Sequence, residues 1–302
     1  MFPTLPATTS SSCTTAFQRR RALAPCVLAL LAISIVLSAC ARRDASHVEP
    51  LLVFAASDLR DALTEIARDY RAAGGDSAVL VFGSTGDLAT QIANGAPADL
   101  FFAANAEAID ALAVSGSIVD STREVYAIGR LAVIARCTRA DTSHGSVTRR
   151  AREHSSGVCP RLSLTDLLSD SLRTIAIADP SHAPYGRAAQ EALENAGVWK
   201  AVKPKLILGT NISQAEIFVT SGNADAGIVA LSLMARGGAR VYTVVDASLH
   251  APLMQTVAIV SRSTRQRAAR SFVTYMVGAG GRAVMDRYGF SPPPRPGASH
   301  DS

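Results

Sequence analysis

Between Leu51 and Ala104 the chain alternates strand, tight turn and helix with hardly a residue to spare, and few folds accept that. Leu51 to Phe54 is an apolar run that enters a helix through Ala55-Ala56-Ser57. Ala78 to Phe82 is a second run, entering another helix through Gly83-Ser84-Thr85-Gly86. A third lies in GAPADLFFAA, Gly95 to Ala104. Within Asp58 to Ala72, the residues Leu59, Ala62, Leu63, Ile66, Ala67 and Tyr70 recur at helical spacing and define one apolar face. Strand–helix–strand units of this length predict a parallel-rich α/β sheet with helices on both faces.

The alternation persists down the chain. Leu88 and Ile92 mark a helix stopping at Gly95, and Asn105 can cap a third helix that carries Ile109 and Leu112 and ends before Gly116. Leu131 to Ala135 reads as a strand, and Ser163 with Asp166 as a capping box for a short helix. Strands follow at Thr174 to Ala178, Leu206 to Leu208 and Ala226 to Val229, with helices at Gly186 to Ala196 and Ser213 to Ser221. A last strand, Val257 to Val260, leads into helices through Phe272, Tyr275 and Met276. At 302 residues, 48% of them hydrophobic, the chain is long enough for two lobes of roughly 100–200 residues or fewer each. Residues 291–302 are rich in Pro and polar side chains, which predicts a disordered tail from 292 to 302.

The first fifty residues obey another logic. Arg19-Arg20-Arg21 precede an apolar run from Ala22 to Ala39, the layout of an export signal. The run is close to the lower limit for a membrane span and contains Pro25, Ser34 and Ser38. It ends in Leu37-Ser38-Ala39-Cys40, which resembles a bacterial lipobox. That resemblance implies cleavage after residue 39 and lipid on Cys40, followed by a polar tether over residues 40–49. The alternative is an uncleaved signal anchor with a chance cysteine. An exported chain works in the periplasm or on the outer face of the cell membrane. Of five cysteines, Cys13 and Cys26 then leave with the signal, and Cys137 and Cys159 remain as a pair in an oxidising compartment. A disulfide between them is expected, across a polar, basic surface insertion at 137–160. Residues 1–39 hold three arginines and no acid, so the rest carries only +2 of the net +5. With aromatics at 5% and no long basic patch, nucleic acid is not an expected partner.

Four turns bring a helix start to a strand end. Two hold Ser57 and Ser84. The third is Asp179-Pro180-Ser181-His182-Ala183-Pro184-Tyr185-Gly186, and the fourth is Gly209-Thr210-Asn211-Ile212-Ser213-Gln214. Ligands of open α/β sheets sit outside the carboxyl ends of the strands, where helix N–H groups and the positive dipole end favour an oxyanion. A serine at a helix start is also an ordinary N-cap. Asp99 and Asp225 read as structural caps, and Arg187 as a solvated helix residue. An esterase would need Ser84 with a base, and His182 is the histidine nearest the turns; Ser84 is not in a G-x-S-x-G elbow.

With FAAS, GSTG, GAPADLFFAA, HAPYG, NISQA and GIVALS in this order, the chain resembles the periplasmic molybdate-binding proteins of ABC importers over most of its length. The resemblance implies a type II periplasmic binding protein fold: two lobes, each a mixed sheet flanked by helices, joined by two crossover strands. It places residues 50–129 and 250–291 in lobe I and 130–249 in lobe II. It implies a monomer that binds molybdate or tungstate, catalyses nothing, needs no cofactor and hands its anion to a membrane permease. Ser57 and Ser84 would donate through hydroxyl and N–H, and Tyr185 and Ile212 mainly through backbone N–H. No residue would ligate the metal atom directly. Many members carry a Tyr where this chain has Ala230; this chain has Tyr185 in its Pro-Tyr-Gly turn instead, like a variant subgroup. Sulfate, thiosulfate or another small oxyanion is the alternative guest.

Overall fold

The computed structural model describes residues 49–137, 160–235 and 241–293. The expected signal, Cys40, the tether up to residue 48, most of the 137–160 insertion with Cys159, and the tail from 294 lie outside them.

β1 (Leu51–Ala56) passes through one 3-10 turn, Ser57–Leu59, into α1 (Arg60–Ala72). Then come β2 (Ala78–Gly83), α2 (Thr85–Ala93), β3 (Leu100–Ala103), α3 (Ala106–Val114) and β4 (Glu124–Gly129). β5 (Leu131–Ala135) follows β4 after a single residue. Next are β6 (Ile175–Ala178), α4 (Pro184–Asn195), α5 (Trp199–Val202), β7 (Leu206–Gly209), α6 (Ile212–Thr220), β8 (Ala226–Ala230) and β9 (Tyr242–Val244). The chain ends in β10 (Leu253–Ile259), α7 (Gln266–Val277) and α8 (Ala279–Arg287).

Two five-stranded sheets result, ordered β2-β1-β3-β10-β4 and β7-β6-β8-β5-β9. They share one plan. In the first, β1 runs parallel to β2 and β3, and β10 runs antiparallel to β3 and β4. In the second, β6 runs parallel to β7 and β8, and β5 runs antiparallel to β8 and β9. The antiparallel strand of each sheet is the one that arrives from the other: β5 from β4, and β10 from β9. The chain therefore crosses between the sheets twice, as expected of a two-lobed fold. Each sheet also reverses strand order beside its first strand, β1 or β6, which is where a crevice opens.

The cores explain why the sheets form. Side chains alternate across a strand, so Phe101 and Phe102, both fully buried, point into different clusters. Phe102 joins Leu51, Val53, Leu63, Ile66 and Tyr70, the expected face of α1, with Phe272 and Met276. Edge-to-face contacts link Tyr70 to Phe272 and Phe102 to Tyr126, with centroids 5.1 and 5.6 Å apart. Such pairs add about 0.5–1.5 kcal/mol beyond area burial. Phe101 packs instead with Leu88, Ile92, Ile109 and Leu112 under α2 and α3. The second sheet has its own cluster around Ile175, Ile177, Leu193 and Ile228, and this one reaches Ala56 and Ala104 of the first lobe.

Local signals held where they were dense. Ser163 and Asp166 cap each other: Asp166 Oδ2 accepts the Ser163 N–H at 2.7 Å, and Ser163 Oγ the Asp166 N–H at 3.4 Å. Asp99 and Asp225 are structural. Asp99 accepts Leu52 N–H at 2.8 Å, and Asp225 accepts the N–H groups of Arg173 and Thr174. Asn105 precedes α3 but makes no capping bond with its side chain. α4 starts at Pro184, two residues before the expected Gly186, because proline fits the first helical position. Cys137 is disulfide-bonded. Among the described residues no helix is long and apolar enough to cross a membrane.

Candidate functional site

All four expected positions line one small cavity between the two sheets. Its walls include Ser57, Asp58, Ser84, Tyr185 and Ile212, and the free space among them is about 10 Å³. Each turn comes from an equivalent place. Ser57 and Ser84 follow β1 and β2, while Tyr185 and Ile212 follow β6 and β7, the matching neighbours in the other sheet. Four helix starts thus converge on one space. The first-turn N–H groups of a helix have no partner within it, so the chain gathers donors there without placing a Lys or Arg in the lining. Arg187 is exposed and lines a separate, open groove.

Ser57 is 2% exposed. Its Oγ accepts the Ser213 N–H at 3.4 Å, and its carbonyl accepts the Ser213 hydroxyl at 2.9 Å. Ser232 Oγ donates to the Asp58 carbonyl at 2.7 Å. The first helix start is thereby stitched to α6 and to the turn after β8. Ile212 is the first residue of α6, capped by Asn211, whose side chain accepts the Gln214 N–H at 3.1 Å. Its side chain is buried in ordinary packing.

Ser84 is the N-cap of α2 and accepts the Asp87 N–H at 3.2 Å. Its Oγ also lies 2.9 Å from His182 Nδ1. The turn that carries His182 presses close: Gly86 N–H donates to His182 O at 3.0 Å, and a Cβ at Gly86 would stand 2.6 Å from that oxygen. Thr85 Oγ1 accepts the Ala104 N–H at 3.1 Å and so ties α2 to the end of β3. His182 is the histidine that the sequence offered as a partner for Ser84, and the structure brings the two together. His182 Nε2 is 3.7 Å from Asp179 Oδ2, too far for a hydrogen bond. Ser84 therefore has a histidine beside it, but that histidine lacks a hydrogen-bonded carboxylate to orient it.

Tyr185 is buried and extends the site with a relay of neutral groups. The Tyr126 hydroxyl donates to Gln255 Oε1 at 3.3 Å, and Gln255 Nε2 donates to the Tyr185 hydroxyl oxygen at 3.4 Å. Burial pushes both tyrosines well above the ordinary phenol range, so both stay neutral donors. The ring fits because Gly129, at the end of β4, has no Cβ; one there would collide with the Tyr185 hydroxyl. Ala230, where many molybdate-binding proteins have a tyrosine, ends β8 fully buried.

Asp58 is the lining residue that the sequence concealed. It looked like an ordinary acid in a first helical turn, where the dipole welcomes it. In the structure its carboxyl is 1% exposed, and neither oxygen has a hydrogen-bond partner among the described residues. Burial pushes it up to about 7; Tyr185 and Gln255, nearby without well-formed bonds to it, offset only part of that. Among the described residues no group of three His, Cys, Asp or Glu could hold a metal ion.

Two matching sheets, crossed twice by the chain and closed on a cavity ringed by helix starts, are the architecture of a type II periplasmic binding protein. The chain belongs to the bacterial extracellular solute-binding proteins, whose family model matches residues 51–291. Within that family it is ModA-like. It is 29% identical over 264 residues to the molybdate-binding protein ModA of Azotobacter vinelandii, covering 86% of this chain and 96% of that one. It is 31% identical over 242 residues to ModA of Haemophilus influenzae, covering 79% and 89%. The solved periplasmic molybdate-binding protein of Azotobacter vinelandii superposes with a TM-score of 0.69 at 26% identity, over 81% of this chain and all of that one.

Proposed function

We propose that this protein captures molybdate or tungstate outside the cytoplasm and delivers it to the permease of an ABC importer, catalysing no reaction itself. One observation carries the reading: Ser57, Ser84, Tyr185 and Ile212 meet around a single small cavity that no Lys or Arg lines. A tetrahedral dianion needs many short donors on all sides. Hydroxyls and backbone N–H groups are compact and fixed, whereas a Lys ammonium is flexible and strongly hydrated. Helix dipoles offset part of the cost of desolvating the ion. A smaller oxyanion such as sulfate leaves donors unpaired, at about 1–3 kcal/mol per buried group. The names of the ModA relatives support the choice of guest.

Lipid on Cys40 would hold the protein at the membrane as a monomer, and a Cys137–Cys159 bridge would close the insertion. Calorimetry with molybdate, tungstate and sulfate tests the guest. Heat with molybdate or tungstate, and much less with sulfate, is the expected result. Silence from both metal oxyanions overturns the reading, and heat from sulfate alone replaces it with the sulfate alternative.

The Ser84–His182 contact favours a second reading, a secreted esterase. Any hydrolysis of a chromogenic ester should survive in a Ser84→Ala variant; its loss would establish the esterase.

A further inference from the structure

An acid in the wall of an anion cavity demands an account. Asp58 follows Ser57 within the first serine turn, buried from solvent, with both carboxyl oxygens unpartnered among the described residues. The groups that face it from other elements are neutral: the Tyr185 hydroxyl from α4, the Tyr126 hydroxyl from β4 and the Gln255 amide from β10. Ser232, from the turn after β8, spends its hydroxyl on the Asp58 carbonyl rather than the carboxyl. On its own helix, Arg60 stacks over the Phe82 ring at 4.8 Å, and Asp61 adds a further negative charge. Across α2, His182 is engaged with Ser84 and flanked by Asp87 and Asp179, each 3.7 Å away. Among the described residues no cation therefore balances an ionised Asp58, and a dianion in the same space would add repulsion to desolvation.

We propose that Asp58 takes up one proton from solvent when an oxyanion enters, and donates it as a hydrogen bond to one of the anion's oxygens. This rests on the oxyanion reading above. The carboxylate and the dianion together carry three negative charges; the added proton leaves two, and turns the one repulsive wall of the cavity into a donor. The site is already poised for it, because burial outweighs the nearby hydrogen-bonding groups and leaves the carboxyl at about 7. Capture is thus coupled to protons: affinity is full below neutral pH and falls about tenfold for each pH unit above the apo pKa. An oxyanion that arrives already protonated satisfies the same arrangement with donor and acceptor exchanged, so the site accepts weak-acid oxyanions over those of strong acids.

The test is calorimetry of the full chain with sodium molybdate from pH 6 to 9, in pairs of buffers with different ionisation enthalpies. The wild type should take up nearly one proton per anion at pH 8.5 and almost none at pH 6, with affinity falling about tenfold per unit above pH 7.5. Asp58→Asn, which keeps the shape without the charge, should bind with little pH dependence and no proton uptake. Molybdate heat without buffer dependence at any pH overturns the proposal and leaves the binding function standing. Absence of heat with molybdate, and with sodium tungstate in its place, at every pH and in both proteins overturns both. The wild-type buffer comparison reads the proton directly and does not depend on the variant folding.

Discussion

Ser84 Oγ lies 2.9 Å from His182 Nδ1, and the two residues belong to opposite lobes. Ser84 already accepts the Asp87 N–H. If Nδ1 carries its hydrogen and donates as well, both lone pairs of the hydroxyl are filled, and the serine proton is left for a guest. In this tautomer His182 is a latch that orients the donor rather than a base that removes its proton. His182→Ala should weaken molybdate about 5- to 20-fold, near the 1–2 kcal/mol of a lost hydrogen bond to a polar site. Calorimetry measures it; an unchanged affinity would remove the latch.

Asp58 also sets a stability prediction for the empty protein. Its folded-state pKa, about 7, stands above the ordinary aspartate value of 3.8. The native state therefore holds a proton that the unfolded chain releases between those values. Stability contributed by the neutral acid is present below pH 4 and lost as pH rises to 7. At 1.36 kcal/mol per unit the loss approaches about 4 kcal/mol as an upper bound. Asp58→Asn should match the wild type near pH 4 and exceed it in urea unfolding at pH 8. Equal stability at both pH values would mean that water or motion relieves the buried charge.

Gly129 bears on closure. It ends β4, one residue before the crossing into β5, and a methyl there would meet the Tyr185 hydroxyl and stand 2.8 Å from Gln255 Nε2. Gly129→Ala should cost about 1–3 kcal/mol, as overpacking does, and should hold the lobes apart. Small-angle scattering with and without molybdate reads this. The wild type should contract on binding more than the variant.

How much of this was legible depended on distance along the chain. The turns at Ser57 and Ser84 announce themselves because strand, turn and helix signals fall within a few residues. β4 went unseen, since Glu124–Gly129 is a strand only by pairing with β10, more than a hundred residues later. β10 looked shorter than it is because Gln255 and Thr256 interrupt its apolar run, yet Gln255 is fully buried and belongs to the tyrosine relay. Tyr185 and Ile212 were reached through family likeness rather than pattern. Asp58 stayed hidden because the same residue in the same turn is usually a solvated partner of the helix dipole. Groups distant in sequence, Tyr126 and Gln255 from the first sheet's strands and Tyr185 from the other lobe, gather round it and make it a buried acid.

The contrast between neutral and charged donors gives the sharpest test of the site. Ser57 and Ser84 line the cavity, whereas Arg187, two residues after Tyr185, faces open solvent. An exposed guanidinium is screened, and exposed ion pairs contribute little, about 0–1 kcal/mol. A buried hydroxyl that donates to an ion contributes about 1.5–3 kcal/mol. Ser57→Ala and Ser84→Ala should each weaken molybdate by roughly 10- to 150-fold, and Arg187→Ala by less than about fivefold. Salt separates the two cases further: binding through sealed neutral donors should change little between low and physiological ionic strength, since buried interactions are poorly screened. A large Arg187→Ala effect that fades with salt would show that charge, and not the ring of helix starts, holds the anion.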